Sequence, residues 1–352
     1  MKRNLAAILV ALAALAGCGG APEQAASTPP ADGATPTATP ATGEIRLAYV
    51  TNGIDPFWTI AEAGVNAAAK DLGVSCETLM PPKGIVDQKR MVETLLSNGV
   101  QGIAISPIDA ANQVDLINQA AKITNVITQD SDAPGSNRLC FIGMDNYKAG
   151  RAAGKLVKEA LPDGGGIMIF VGRLEQLNAQ QRRQGVIDEL LDRNVSSGDQ
   201  AAYDPPGFTQ LDGKYKILGT RTDNFDYAKA KSNAEDAIAS YPDLACMAGL
   251  FAYNIPSCLE AVKSANKIGA IKLVSFDEQD PTLNGIKDGH VQGTISQQPY
   301  EYGYQSVKVL TALAKGDNSL IPESKFIDVP IVVVTKENVE AFHTKLNELK
   351  GG

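Results

Sequence analysis

Residues 45–79 read IRLAYVTNGIDPFWTIAEAGVNAAAKDLGVSCETL, and their hydrophobic pattern decides the fold. Residues 45–50 form a short, nearly continuous apolar run, as expected of a strand covered on both faces. Asp55 and Pro56 then open a helix over residues 56–70 that carries Ile60, Gly64, Val65, Ala68 and Leu72 on one face, with Gly73 after its end. A second apolar run over residues 74–79 starts the next unit. The alternation continues with a helix at 86–98, a strand at 102–106, a helix at 111–121 and strands at 125–130 and 139–143. A second round follows, with helices at 146–160, 180–191, 227–240 and 255–265 between strands at 167–172, 216–222, 244–251 and 271–277. Such repetition predicts an α/β protein with parallel sheets covered by helices on both faces. At 352 residues the chain is too long for one core, so two doubly wound lobes are expected. Residues 196–213, with Asp204-Pro205-Pro206-Gly207, read as a surface excursion.

The N-terminus has a different character. Lys2 and Arg3 precede an apolar run from Leu5 to Ala16 that ends in Gly17-Cys18, the layout of a signal peptide over residues 1–17. That run is shorter than the roughly 20 residues needed to span a bilayer, so it is read as a removable leader. Leu15-Ala16-Gly17-Cys18 resembles a bacterial lipobox, which makes Cys18 the expected site of lipidation and the membrane attachment point. Residues 18–43 are rich in Ala, Pro and Thr and lack the apolar side chains needed to offset chain entropy, so they read as a tether. An exported location is expected, in the periplasm or at the outer face of the cell membrane.

Composition removes several function classes. Lys and Arg number 32 against 40 Asp and Glu, a formal charge of -8 that offers no cationic surface for a phosphate backbone, so no nucleic-acid partner is expected. The two histidines and the scattered cysteines lack zinc-ligand spacing, so neither a metal nor a cofactor is called for. No Walker-type loop is present. Cys246 and Cys258 are close enough in sequence for a bridge to be conceivable, with buried free thiols an equal alternative.

In open parallel sheets, ligands bind beyond the carboxyl ends of the strands. Asp55, Phe57 and Trp58 follow the first strand, Asp130 ends the fourth and Asp277 ends the ninth. Carboxylates accept paired hydrogen bonds from sugar hydroxyls, and aromatic faces cover the apolar face of a sugar ring, so together they describe a polyol site. Any one of these aspartates would by itself be read as a helix cap. Their recurrence at several strand ends points to a ligand.

From residue 45 to 335 the chain resembles the periplasmic sugar-binding proteins of the ribose and galactose type, solute receptors of ABC importers that share a fold with lactose-repressor-like effector domains. The resemblance is carried by Asp55-Pro56-Phe57-Trp58, Ile127-Thr128-Gln129-Asp130, Gly143-Met144-Asp145-Asn146, Arg182-Arg183-Gln184-Gly185, Val274-Ser275-Phe276-Asp277 and Gly293-Thr294-Ile295-Ser296-Gln297. It implies that Phe57 and Trp58 sandwich a sugar ring, that Asp55, Asp130, Asp277 and Gln297 take its hydroxyls, that Arg182 donates a fork of hydrogen bonds, and that Phe225 covers the ring from the second lobe. Ser131 stands where many ribose-type members have arginine, which argues against a strict ribose pocket. At the end of strand eight either Phe251 adds a stacking wall or Asn254 supplies an amide.

The same resemblance implies crossings between lobes near Asp145, Gln297 and Glu323. Residues 44–145 and 298–322 would then build the N-terminal lobe, and residues 146–297 and 323–352 the C-terminal one. It further implies a monomer that binds a monosaccharide or polyol, without altering it, for delivery to a membrane ABC permease. Two rivals remain: a receptor reporting to a membrane sensor kinase or chemoreceptor, and an exported carbohydrate-active enzyme using Asp130 and Asp277 as acid and base.

Overall fold

The computed structural model describes residues 43–193 and 200–350. The leader, Cys18 and nearly all of the tether therefore lie outside the described residues. The chain runs β1 (Arg46–Val50), α1 (Pro56–Leu72), β2 (Ser75–Leu79), α2 (Ile85–Ser97), β3 (Gly102–Ile105), α3 (Val114–Ala121), β4 (Asn125–Gln129) and β5 (Phe141–Gly143). It continues through α4 (Asn146–Ala160), β6 (Gly165–Val171), α5 (Leu177–Leu190), β7 (Tyr215–Thr222), α6 (Tyr227–Ser240), β8 (Leu244–Gly249), α7 (Asn254–Ser264), β9 (Lys272–Phe276), α8 (Asp280–Lys287) and β10 (Gly293–Ser296). The last elements are α9 (Pro299–Ala314), β11 (Phe326–Asp328), β12 (Val332–Thr335) and α10 (Val339–Leu349).

These strands form two six-stranded sheets, in the orders β11-β5-β4-β3-β1-β2 and β12-β10-β9-β8-β6-β7. The first is parallel throughout and the second carries β12 as an antiparallel edge. Two parallel-sheet α/β lobes are the architecture the βα repeat predicts. Strand β1, between β3 and the edge strand β2, is buried from Leu47 to Val50, in keeping with helices on both faces. Its register sets Leu47 opposite Gly102 and Val50 opposite Ile105, so β1 and β3 end at one level, where the cleft begins.

The crossings lie at 143–146, 296–299 and 328–332. The third differs from its expected place near Glu323. β11 pairs with β5 in the first sheet, so residues 323–328 belong to the N-terminal lobe, and only β12, beyond Pro330, returns to the second sheet. Proline removes the ladder donor there, and the break lets the chain change sheets. Gln298, held at a positive φ of 59°, ties the second crossing to the third by donating its side-chain amide to the Pro330 carbonyl at 2.6 Å.

Each lobe holds one helix pair in backbone contact through glycines. A Cβ on Gly64 of α1 would stand 2.0 Å from the Tyr300 carbonyl oxygen of α9, and one on Gly303 would stand 2.0 Å from that of Ala61. In the second lobe, a Cβ on Gly150 of α4 would meet the Arg182 carbonyl oxygen at 2.1 Å, and one on Gly185 of α5 would meet that of Tyr147 at 2.2 Å. The second pair matters for the site, because it sets the height at which Arg182 leaves α5.

The four cysteines among the described residues, Cys76, Cys140, Cys246 and Cys258, are free thiols. Cys246 and Cys258 sit in the cores, one on β8 and the other on α7.

Gly303→Ala forces two helices apart at a backbone contact with no side chain able to yield. An overpacking cost of about 1–3 kcal/mol or more is expected, which thermal melting would read as a Tm lowered by several degrees. An unchanged Tm would mean that α1 and α9 do not approach this closely.

Candidate functional site

Loops from the carboxyl ends of both sheets enclose a cavity of about 260 Å3. Its walls hold nine of the ten residues expected from sequence: Asp55, Phe57, Trp58, Asp130, Arg182, Phe225, Phe251, Asp277 and Gln297. Asn254 is the exception. It opens α7 fully buried, accepts from the Phe251 backbone N–H at 3.0 Å and donates to Asp223 Oδ2 at 2.9 Å. The amide therefore fastens the loop that presents Phe251, and of the two alternatives at this strand end the wall residue is Phe251.

The polar floor is a chain of side chains that crosses between the lobes. Arg182 is only 1% exposed. Its Nε donates to Asn146 Oδ1 at 2.8 Å, its Nη1 to the Leu250 carbonyl at 3.0 Å and its Nη2 to Gln297 Oε1 at 2.6 Å. The same Nη2 lies 3.8 Å from Asp130 Oδ1 of the other lobe. The guanidinium also stacks over Phe251 and Phe276, at 5.4 and 5.0 Å from their ring centroids. Gln297 passes the connection on, donating its amide to Asp277 Oδ1 at 2.6 Å. Asp130 Oδ2 accepts from Ser106 Oγ at 2.8 Å and Asn52 Nδ2 at 3.3 Å. Among the described residues, Asp277 Oδ2 has no hydrogen-bond partner in the protein.

Burial raises the pKa of Asp130, and Arg182 and Ser106 pull against that rise. Burial likewise pushes Asp277 up to about 7 despite Arg182 and Gln297. The next residue, Glu278, is pushed up to about 8 by burial and then by the Asp277 charge, and its Oε2 is buried without a partner among the described residues. The cause in both is desolvation of the charged form.

The aromatic walls correct one expectation. Phe57 and Trp58 lie 4.8 Å apart with planes 87° apart, so a flat ring can lie face-on to only one of them. The opposite wall has Phe225 and Phe251 at 5.7 Å and 75°. Aromatic groups from both lobes thus bound the cavity, with the two on the first lobe forming a corner.

Asp55 does more than line the cavity. Its Oδ1 accepts from the Phe57 N–H at 2.9 Å, capping α1, and from Gln279 Nε2 at 3.4 Å, while its Oδ2 accepts from the Tyr227 hydroxyl at 2.6 Å. Tyr227 and Gln279 belong to the second lobe, so this carboxylate joins the lobes at the cleft. The expected hydroxyl acceptor is already occupied by protein donors.

Four non-glycine residues of the wall have left-handed backbone: Asp130 (φ 59°), Asn224 (58°), Phe225 (65°) and Asp277 (65°). Such conformations cost on the order of 1–3 kcal/mol each and persist only where surroundings impose them. Here the Asp130 and Asp277 N–H groups donate to the carbonyls of Ile142 and Ile295, and the Phe225 N–H donates to Asp223 Oδ1. Glycine would relieve the strain, so what is retained at these positions is the side chain.

Sequence reasoning missed Asn52, Arg173, Asn224 and Tyr227 in this wall. Asn52 and Arg173 stand two residues past the ends of β1 and β6, where the strand-end rule alone would have found them. Tyr227 had no local signal, because its partner lies 172 residues away.

Residues 45–318 match the family profile of the periplasmic binding protein domain. The ribose import binding protein RbsB of Haemophilus influenzae is 25% identical over 284 residues, covering 79% of this chain and 88% of its own. The D-ribose/D-allose-binding protein of Pseudomonas aeruginosa is 25% identical over 305 residues, covering 82% and 88%. An ABC transporter solute binding protein from Burkholderia graminis, solved in complex with D-arabinose, aligns with a TM-score of 0.75 at 26% identity over 85% of this chain and 98% of its own. All three carry descriptions of binding rather than catalysis. With the profile covering β1 to β10 and every residue that lines the cavity, the chain belongs to the periplasmic binding protein family.

Proposed function

We propose that this protein is an extracytoplasmic solute-binding lipoprotein, anchored through Cys18, that closes its two lobes over a monosaccharide or related polyol and delivers it to an ABC importer. The observation that carries the reading is the buried chain Asp130, Arg182, Gln297 and Asp277, which runs between lobes along a cavity walled by aromatic rings from both. Carboxylate, amide and guanidinium side by side accept and donate at once, which suits a ligand dense in hydroxyl groups. Size agrees as well. A cavity of about 150 Å3 accommodates benzene, so the one here suits a six-membered ring with several substituents. The names of the relatives, which include ribose, allose and arabinose, support the same class of solute.

Thermal-shift screening of monosaccharides and polyols tests this reading. A ligand at 100 times its Kd adds about 2.7 kcal/mol, or roughly 5–10 °C of Tm. Asp277→Asn keeps the left-handed backbone, which Asn tolerates, and removes the carboxylate acceptor. Affinity for the responding solute is expected to fall by about 10- to 100-fold. Full retention of binding would remove Asp277 from the site.

Lobe closure is expected to draw on the bridge at Asp55. Tyr227→Phe deletes one donor to a carboxylate at a half-exposed position, so affinity should weaken by about 3- to 10-fold. Small-angle scattering should show a larger radius of gyration without ligand. An unchanged Kd and radius would show that the contact carries no closure energy.

The raised acids also set a pH dependence. Between about pH 4, where unfolded carboxylates titrate, and the folded values near 7 to 8 of Asp277 and Glu278, the native state holds more protons than the unfolded one. Stability of the empty protein therefore falls as pH rises through this window. Glu278→Gln should raise Tm at pH 8 and leave it nearly unchanged at pH 5. An equal change at both values would contradict the assignment.

A further inference from the structure

Two guanidinium groups line the cavity, and their situations differ. Arg182 donates to Asn146, Leu250 and Gln297 and lies beside Asp130. Arg173, in the loop after β6, is half-buried. Among the described residues it has neither a hydrogen bond nor an ion pair. Its one recorded contact of this kind is with an aromatic face, the guanidinium lying 5.0 Å from the centroid of Phe225.

We propose that Arg173 is a ligand-contacting residue that selects solutes bearing an anionic group, a carboxylate or a phosphate, on the sugar or polyol skeleton. The inference rests on reading the cavity as a sugar or polyol site and narrows the class of solute within it.

Geometry places this charge at one end of the cavity. The Arg173 Nη1 comes within 3.8 Å of where a Cβ on Gly84 would stand, so the side chain reaches from the second lobe to the β2–α2 loop of the first. Gly84 offers it no side chain. Contact with the Phe225 face orients the guanidinium, and its edge N–H groups remain available to an acceptor. The shelf itself is built at a conformational cost, since Phe225 holds a positive φ of 65°.

Among the described residues, no carboxylate of the cavity forms an ion pair with Arg173. Asp130 is engaged by Ser106, Asn52 and Arg182, Asp277 by Gln297, and Asp55 by Tyr227, Gln279 and the start of α1. A half-buried cation with no ion-pair partner among the described residues is unfavourable, and closure over a solute would strip more water from it. Of the acceptors a sugar derivative can bring, a carboxylate or phosphate supplies the missing charge together with two oxygens that match the guanidinium fork.

Isothermal titration of the full-length protein tests the proposal with two matched pairs, D-galactose with D-galacturonate and D-ribose with D-ribose 5-phosphate. The anionic member of at least one pair is expected to bind about tenfold or more tighter than its neutral partner. Whether the galacturonate or the ribose phosphate pair shows the preference decides between carboxylate and phosphate. Arg173→Gln should bring the two members of that pair within about threefold of each other, and Arg173→Lys, which keeps the charge without the fork, should retain part of the preference. Neutral sugars that bind as well as the anionic ones, or an Arg173→Gln variant that weakens both members equally, would overturn the role assigned to Arg173 and leave the sugar site standing. Failure of all four compounds to bind, with neutral polyols also silent, would instead overturn the sugar reading beneath it.

Discussion

The burial of Arg182 is the constraint on which the rest of the structure depends. A guanidinium removed from water is tolerable only when its donors are satisfied. Here the satisfying groups come from separate parts of the chain: Asn146 at the first crossing, Gln297 at the second, the Leu250 carbonyl beyond β8, and Asp130 from the opposite lobe. One side chain thus senses the relative position of two crossings and two lobes. The backbone contact between Gly150 of α4 and the Arg182 carbonyl fixes where it starts, so helix packing behind the site is part of the same device.

A second constraint sits above the first. Left-handed backbone at Asp130, Asn224, Phe225 and Asp277 turns these side chains out of the strand ends or the loop that carries them. Strain at a single loop residue would be unremarkable. Four such residues around one cavity, two of them bearing the carboxylates at either end of the Arg182 chain, indicate that stability is given up to hold acceptors in fixed positions. The buried Asp277 and Glu278 act in the same direction, since their raised pKa values record desolvation that a less demanding arrangement would avoid.

The fold was legible because its signals are local. Apolar runs of strand length, helix faces at 3.6-residue spacing and punctuation such as Asp55-Pro56 and Gly73 are written within a few residues of the elements they define. Most of the cavity wall was legible for a related reason, since in parallel sheets the strand ends are known once the strands are. What escaped depends on distant pairings. The third crossing was misplaced because β11 is a strand of three residues, assigned to its sheet only by Phe141 to Gly143 across from it. Asn254 was open because an amide at a helix start is equally suited to a ligand or to a loop, and only the approach of Asp223 decides. Arg173 stands at a strand end, where its position alone offers it, but what distinguishes it from other strand-end residues is three-dimensional: among the described residues it has no hydrogen bond or ion pair.

The bridge at Asp55 differs in kind from the Arg182 chain, and the difference bears on how such a protein responds to its solute. Asp55 is read from sequence as an acceptor for a sugar hydroxyl, and the structure shows its carboxylate capping α1 and holding Tyr227 and Gln279 of the other lobe. Tyr227 is 47% exposed, so water competes for its hydroxyl, and the bridge is worth about 1 kcal/mol rather than several. A two-state equilibrium biased by that much shifts about fivefold, while moving it from nearly all open to nearly all closed needs about 5.5 kcal/mol of differential binding. A bridge as deeply buried as Arg182 would close the lobes whether or not a solute had arrived. One left at the rim lowers the closure energy demanded of the solute while leaving the solute in control of the outcome.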